Sequence, residues 1–168
     1  PHRLPKMPDA VYEGVRGCDI ILHAGDLEDP AILAPLRAIA PVYAVRGNLH
    51  WQYSTGTHDQ DLPLSVILRL GAHVIWLTHG HFSFAFSVLD KVSGYASGRK
   101  HQSVNTVVVF GHSHLSTARE IDGVLYYNPG SVAAQESRWK EGPRIGRLTI
   151  GDDGCVTPSW IDVGASPA

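Results

Sequence analysis

The chain has 168 residues, 43% hydrophobic and 18% charged, enough for one domain with a real core and too apolar for disorder. Fourteen Lys and Arg against sixteen Asp and Glu give a net charge of −2, which argues against a chain-wide basic surface for nucleic acid. No apolar run approaches the roughly 18 residues needed to cross a bilayer. No secretion signal is visible, and the two cysteines, Cys18 and Cys155, lack metal-like spacing, so a reduced, cytoplasmic protein is expected.

Pro1 to Pro8 is proline-rich and irregular. Met7 to Arg16 reads as a short helix, with Val11 and Val15 four apart and a stop at Gly17. Asp19 to Ala24 is an apolar run that predicts a buried strand, and it runs into Gly25-Asp26. Asp29-Pro30 has the form of a helix N-cap followed by Pro at the first helical position, and Ala31 to Ala40 would be that helix, ended by Pro41. Val42 to Arg46 is the next strand and ends in Gly47-Asn48. Helix, strand, helix, strand implies parallel pairing through short right-handed crossovers.

Trp51 to Asp61 is polar and turn-rich, a surface loop. Leu62 to Arg69 and His73 to Leu77 flank Gly71-Ala72 as a strand pair, and the second runs into Thr78-His79-Gly80-His81. Ser87 to Ala96 could be helical, although Gly94 and Gly98 weaken the pattern. Val104 to Val109 is a β-branched run that predicts a buried strand, handing Gly111-His112-Ser113-His114 to a loop. On an extended segment His112 and His114 would point the same way, toward one point or two neighbouring ones. Asp122-Gly123 predicts a hairpin between Thr117–Ile121 and Val124–Tyr127. Asn128-Pro129-Gly130-Ser131 is a turn, and a second hairpin joins Ile145–Ile150 to Val156–Val163 across Gly151 to Gly154.

Four strand ends therefore present, in order, Asp26, Asn48, His79 and the pair His112 and His114, each beside a glycine. Open α/β sheets bind ligands at such ends. Imidazoles with a carboxylate and a side-chain amide suit divalent transition metals, and the absence of cysteine speaks against a structural zinc site. Gly-Asp and Gly-Asn are ordinary turn dipeptides taken singly. Their joint placement at consecutive strand ends is the signal.

The series Gly25-Asp26, Gly47-Asn48, Thr78-His79-Gly80-His81, Gly111-His112-Ser113-His114 and Asn128-Pro129-Gly130-Ser131 resembles the calcineurin-like metallophosphoesterase superfamily, in particular its small YfcE and Vps29-like phosphodiesterase type. The resemblance runs from about Leu4 to Ile150. It implies an α/β (α+β) fold: two mixed β-sheets packed as a sandwich flanked by helices, one metallophosphoesterase domain over residues 1–168. It also implies a phosphodiesterase that uses two divalent metal ions (Mn, Ni, Fe or Zn, with Mn favoured) and metal-activated water on a small phosphoester. Apart from the resemblance, the apolar runs lead to no expected membrane partner and the mild negative charge disfavours nucleic acid, while a homo-oligomer is compatible with the family.

By the same resemblance, Asp26 bridges the metals, Asn48, His79 and His112 complete one of them, and His114 binds the other. The family's remaining ligands come from an Asp-x-His motif on a first strand, which has no counterpart here. Its place would lie just upstream of Pro1 to Pro5, so the domain is expected to be N-terminally incomplete. Larger members carry His directly after the Asn. Here Leu49 stands in that place and His50 follows, so Asn48 and His50 are the candidate catalytic contacts and His50 a candidate proton donor. His81 would hydrogen-bond a ligand or the phosphate. His23 is expected to be packed, and His58, His73 and His101 to lie on the surface. Asn128 and Ser131 fit a structural turn behind the site. Arg46 could face phosphate or pair with a carboxylate. The competing function is a non-catalytic, Vps29-like protein-binding scaffold with a partial metal site.

Overall fold

A computed structural model of the chain describes residues 7–27, 30–48, 61–81, 100–101, 104–133 and 141–164. The first apolar run forms β1 (Ile21–His23), which pairs in parallel with β2 (Val42–Ala44), Ile21 opposite Val42 and His23 opposite Ala44. A 3-10 turn over Pro30–Ile32 leads into α2 (Leu33–Arg37) between them. Pro35 has no N–H to return to Ala31, so the expected ten-residue helix divides into these two pieces. The N-terminal helix α1 (Asp9–Gly14) is also shorter than the 7–16 expected, burying Val11. Arg147 reaches across from a later strand and donates from Nη2 to the carbonyls of Gly14 at 2.9 Å and Arg16 at 3.3 Å. A cation at a helix C-terminus satisfies carbonyls that have no helical partner.

The remaining runs build a five-stranded sheet and a ribbon. β3 (Ser65–Leu70), β4 (His73–Thr78), β5 (Thr106–Phe110), β6 (Thr117–Ile121) and β7 (Val124–Asn128) lie in the order β3-β4-β5-β7-β6. β4, β5 and β7 are parallel, while β3 and β6 close the edges antiparallel. Burial follows position. Edge strand β3 alternates exposed and half-buried residues, β4 alternates half-buried and buried, and central β5 is buried from Val107 through Phe110. β8 (Arg144–Ile150) and β9 (Val156–Asp162) form the antiparallel ribbon.

Two cores hold the layers together. Ile75, Leu77, Val107, Val109, Leu125 and Tyr127 on the inner face of the five-stranded sheet meet Val45, just after β2, and Val156 on the ribbon. On the other side, Val11, Leu33 and Leu36 from the helices pack with Ile21, Ala44 and Val163. The result is a mixed α/β sandwich with helices on the outside of the β1–β2 pair, as the resemblance implies. Cys18 and Cys155 are both free. Among the described residues no helix is long and apolar enough to cross a membrane.

Two histidines depart from expectation. His73 and His101 are buried, at 5% and 4% exposure, instead of lying on the surface. His73 Nδ1 lies 3.1 Å from the Val104 carbonyl, and His101 Nδ1 lies 2.8 Å from Glu120 Oε2 while its backbone bridges to Val156. Each acquires its polar partner from a segment distant in sequence, which local polarity does not reveal. His58 and the 87–96 stretch fall outside the described residues.

Candidate metal centre

Because β1 and β2 run in parallel and β4 and β5 run in parallel, two pairs of strand ends can point one way. The packing of the layers brings those pairs together. Asp26 follows β1, Asn48 follows β2, His79 follows β4, and His112 and His114 follow β5. Gly111 N–H donates to the His79 carbonyl at 3.2 Å, tying the last two ends. The close approach depends on glycine at two places. A Cβ on Gly47 would collide with the backbone nitrogen and side-chain Oδ1 of Asp26, and one on Gly111 would lie 2.7 Å from the Ala24 carbonyl oxygen.

His79 is nearly inaccessible, at 1% exposure, and its Nδ1 is 2.7 Å from the Ala24 carbonyl. A carbonyl only accepts, so the proton sits on Nδ1 and Nε2 presents a lone pair. Burial, opposed by the Asp26 charge, keeps its pKa below the usual histidine value, so the ring is neutral near pH 7. That lone pair faces Asn48 Oδ1 at 2.8 Å and Asp26 Oδ1 at 3.3 Å. Three acceptor atoms thus crowd together with no proton to share among them. His112 Nδ1 also lies 3.1 Å from Asn48 Oδ1, and burial likewise lowers its pKa.

Such crowding is unfavourable unless positive charge lies between the atoms. Ligands about 2.0–2.2 Å from one cation lie roughly 3 Å from each other, the spacing found here. The donor set therefore fits a divalent transition metal. Asn48 is central to the fit: among the described residues, no three His, Cys, Asp or Glu side chains alone form a group able to hold a metal. Asp26 looks two ways. Its Oδ1 accepts the Asn48 N–H at 2.9 Å, while Oδ2 lies 4.0 Å from His114 Nε2.

The backbone carries a further signature. Asp26, His112 and His114 have φ of 59°, 64° and 59°, and the only other described non-glycine with positive φ is Asp122 in the hairpin turn. Left-handed conformations are costly for such residues and gather where structure holds a side chain for a purpose. His112 and His114 thus reach their positions through a left-handed turn and not along an extended segment. Asn128, fully buried on β7, holds that turn from below. Its Nδ2 donates to the Gly111 carbonyl at 2.8 Å and to Ser113 Oγ at 3.1 Å, and its Oδ1 accepts the Gly130 N–H at 2.9 Å.

Around this cluster, the His81 ring centre lies 5.2 Å from that of His79 and 6.5 Å from that of His112. His23 lies beneath the β1 end, where its Nδ1 accepts the Gly25 N–H at 3.3 Å and burial lowers its pKa to about 4. His50 falls outside the described residues. The contribution of the Ala24 carbonyl has no residue-type signature. What could point to it is the glycine on either side of the contact, Gly25 and Gly111.

A mixed α/β fold with carboxylate, amide and imidazoles gathered at converging strand ends is that of a metallophosphoesterase. The chain belongs to the calcineurin-like phosphoesterase superfamily, whose domain matches residues 2–153. It is 32% identical over 132 residues to a probable metallophosphoesterase of Methanothermobacter thermautotrophicus, covering 78% of this chain and 70% of that one. In structure it is similar to wild-type Vps29 of Entamoeba histolytica complexed with zinc, with a TM-score of 0.64 at 22% identity over 98% of this chain and 94% of that one. The phosphoesterase YfcE of E. coli superposes with a TM-score of 0.56 at 22% identity over 93% and 91% of the two chains.

Proposed function

We propose that this chain is a metal-dependent phosphodiesterase. The observation that carries the reading is the convergence of His79 Nε2 on Asn48 Oδ1 at 2.8 Å and Asp26 Oδ1 at 3.3 Å, with the other ring nitrogen held by the Ala24 carbonyl. Asn48, His79, His112 and Asp26 would hold one divalent cation. Asp26, through its second oxygen, and His114 would contribute to a neighbouring one. Manganese is the favoured metal, with iron, nickel and zinc suited to the same ligands, and the Entamoeba relative was solved with zinc. Cations held there would supply charge neutralisation at the phosphoryl oxygens and acidify a water so that it can attack phosphorus near neutral pH.

The chain's own residues then do the following. Asp26 supplies negative charge between two cation positions. The neutral imidazoles add none, so the loaded site keeps net positive charge for the phosphoryl group in the transition state. The Ala24 carbonyl fixes the His79 proton and ring orientation. His81, beside both ligand rings, hydrogen-bonds a ligand or a phosphoryl oxygen. His50 is the candidate donor of a proton to the departing alkoxide.

Purified chain with Mn²⁺ is expected to hydrolyse bis(4-nitrophenyl) phosphate. Asp26→Ala or His112→Ala should abolish that turnover and weaken Mn²⁺ binding measured by calorimetry. Unchanged turnover in either variant would overturn the assignment. One observation favours a second reading, a Vps29-like scaffold: His114 Nε2 lies 4.0 Å from Asp26 Oδ2, beyond hydrogen-bond distance. Metal binding without hydrolysis of any phosphoester would favour it.

A further inference from the structure

Arg46 lies two residues before Asn48 in the continuation of β2, half-buried. Its Nε is buried and has no hydrogen-bond partner. Two other arginines share an unpartnered, buried Nε, but each has at least one other guanidinium nitrogen engaged. Arg144 pairs with Asp162 at 2.9 Å, and Arg147 binds the α1 carbonyls. The Arg46 side chain makes no ion pair or hydrogen bond with the described residues. A permanently charged guanidinium that gives up part of its hydration without an anion is unfavourable. It is also pre-shaped to receive a phosphate through two parallel N–H bonds.

Its place bears on which anion it serves. Ala44 packs in the helix-side core and Val45 packs against the five-stranded sheet, so the chain before Arg46 runs between the two layers whose ends carry the metal ligands. Its N–H donates to the Pro63 carbonyl at 2.9 Å, which sets this segment beside the approach to β3. Two extended residues span about 7 Å, so Arg46 sits beside the metal ligands and not among them.

We infer that Arg46 anchors a second phosphate group of the substrate, one that flanks the phosphodiester being cleaved. The inference rests on the phosphodiesterase reading and narrows it to substrates whose alcohol moiety is itself phosphorylated. The reacting phosphoryl group belongs where Asp26, Asn48, His79 and His112 converge, and the flanking phosphate replaces the missing anion of Arg46.

The probes are thymidine 5′-(4-nitrophenyl phosphate) and the same ester carrying a 3′-phosphate, which differ in one dianionic group. The Mn²⁺-loaded parent chain should show a KM about tenfold lower for the 3′-phosphorylated ester, the worth of a charge-assisted contact. Arg46→Met, which keeps the apolar stem, should erase that difference, and Arg46→Lys should retain part of it. The melting temperature of Arg46→Met without substrate should equal or exceed the parent's, because an unpaired charge has been removed. Equal KM for the two esters in the parent, or an equal rise for both in Arg46→Met, would overturn the inference. So would a lowered melting temperature in both variants, which marks a structural role. Should the parent cleave neither ester, the phosphodiesterase reading fails by itself. Calorimetric binding of the 3′-phosphorylated ester, dependent on Arg46, would then still support the anchor, and binding independent of Arg46 would overturn it.

Discussion

The proton on His79 is decided by one backbone atom, the Ala24 carbonyl, and the same type of control extends to His23, the residue before Ala24. His23 Nδ1 accepts the Gly25 N–H, so the ring must remain neutral to hold the turn that presents Asp26. Its folded pKa of about 4 lies below the unfolded value of 6.5, with burial the main cause. The sign follows directly: as pH falls, the unfolded chain takes up the proton first. The contribution of His23 is complete above about pH 6.5 and is lost progressively toward pH 4. Metal-free chain should therefore melt at falling temperatures between those limits, and His23→Gln should flatten part of that decline. An unchanged slope in the variant would show that other groups carry it. At this scale the sequence was readable where chemistry and punctuation coincide: Asp26, Asn48, His79 and the His112 and His114 pair all sit beside glycines at strand ends. It was opaque where backbone decides. The left-handed turns at Asp26, His112 and His114 have no residue-type marker, and the burial of His73 and His101 depends on partners 31 and 19 residues away.

Strands, more than helices, were legible, because β-branched runs and alternation give a period that tertiary packing then amplifies. The turn after β5 shows what an element adds beyond its own sequence. It is held by Asn128 of β7, the neighbouring parallel strand, through three hydrogen bonds that span both sides of the amide. A turn motif at Asn128-Pro129 suggests a structural role, yet its distant partners, Gly111 and Ser113, follow only from β7 lying between β5 and β6. Asn128→Leu should leave the Gly130 N–H without its partner and remove one of the two donors, Asn128 and the Ser113 N–H, from the Gly111 carbonyl, costing about 1–3 kcal/mol. Because Gly111 begins the turn that carries His112 and His114, metal affinity should fall by about tenfold or more as well. Chemical denaturation and Mn²⁺ titration of the same variant test both effects. A stability loss with unaltered metal affinity would mean that the turn is held without Asn128.

For the whole molecule, the consequence of the arrangement is that the site is a joint between layers. Asp26 and Asn48 come from the β1–β2 pair, and His79, His112 and His114 from the five-stranded sheet, whose order and packing no local pattern in the chain specifies. Without a cation, the acceptor atoms of the two layers repel where they meet. A cation shared by them would convert that repulsion into a cross-link between segments as far apart in sequence as Asp26 and His112. Metal that binds the folded state alone, at about a hundred times its Kd, adds roughly 2.7 kcal/mol of stability. For a domain of this size that corresponds to a melting temperature about 5–10 °C higher. Mn²⁺ should raise the melting temperature of the parent chain by that amount, and a chelator should reverse the gain. Asp26→Ala should show little response to either. Hydrogen exchange on the parent should localise the protection, with amides slowing together at Gly25, Asn48 and Gly111 when metal is added. Protection confined to one layer would show that the cation is held by that layer alone and does not join the two.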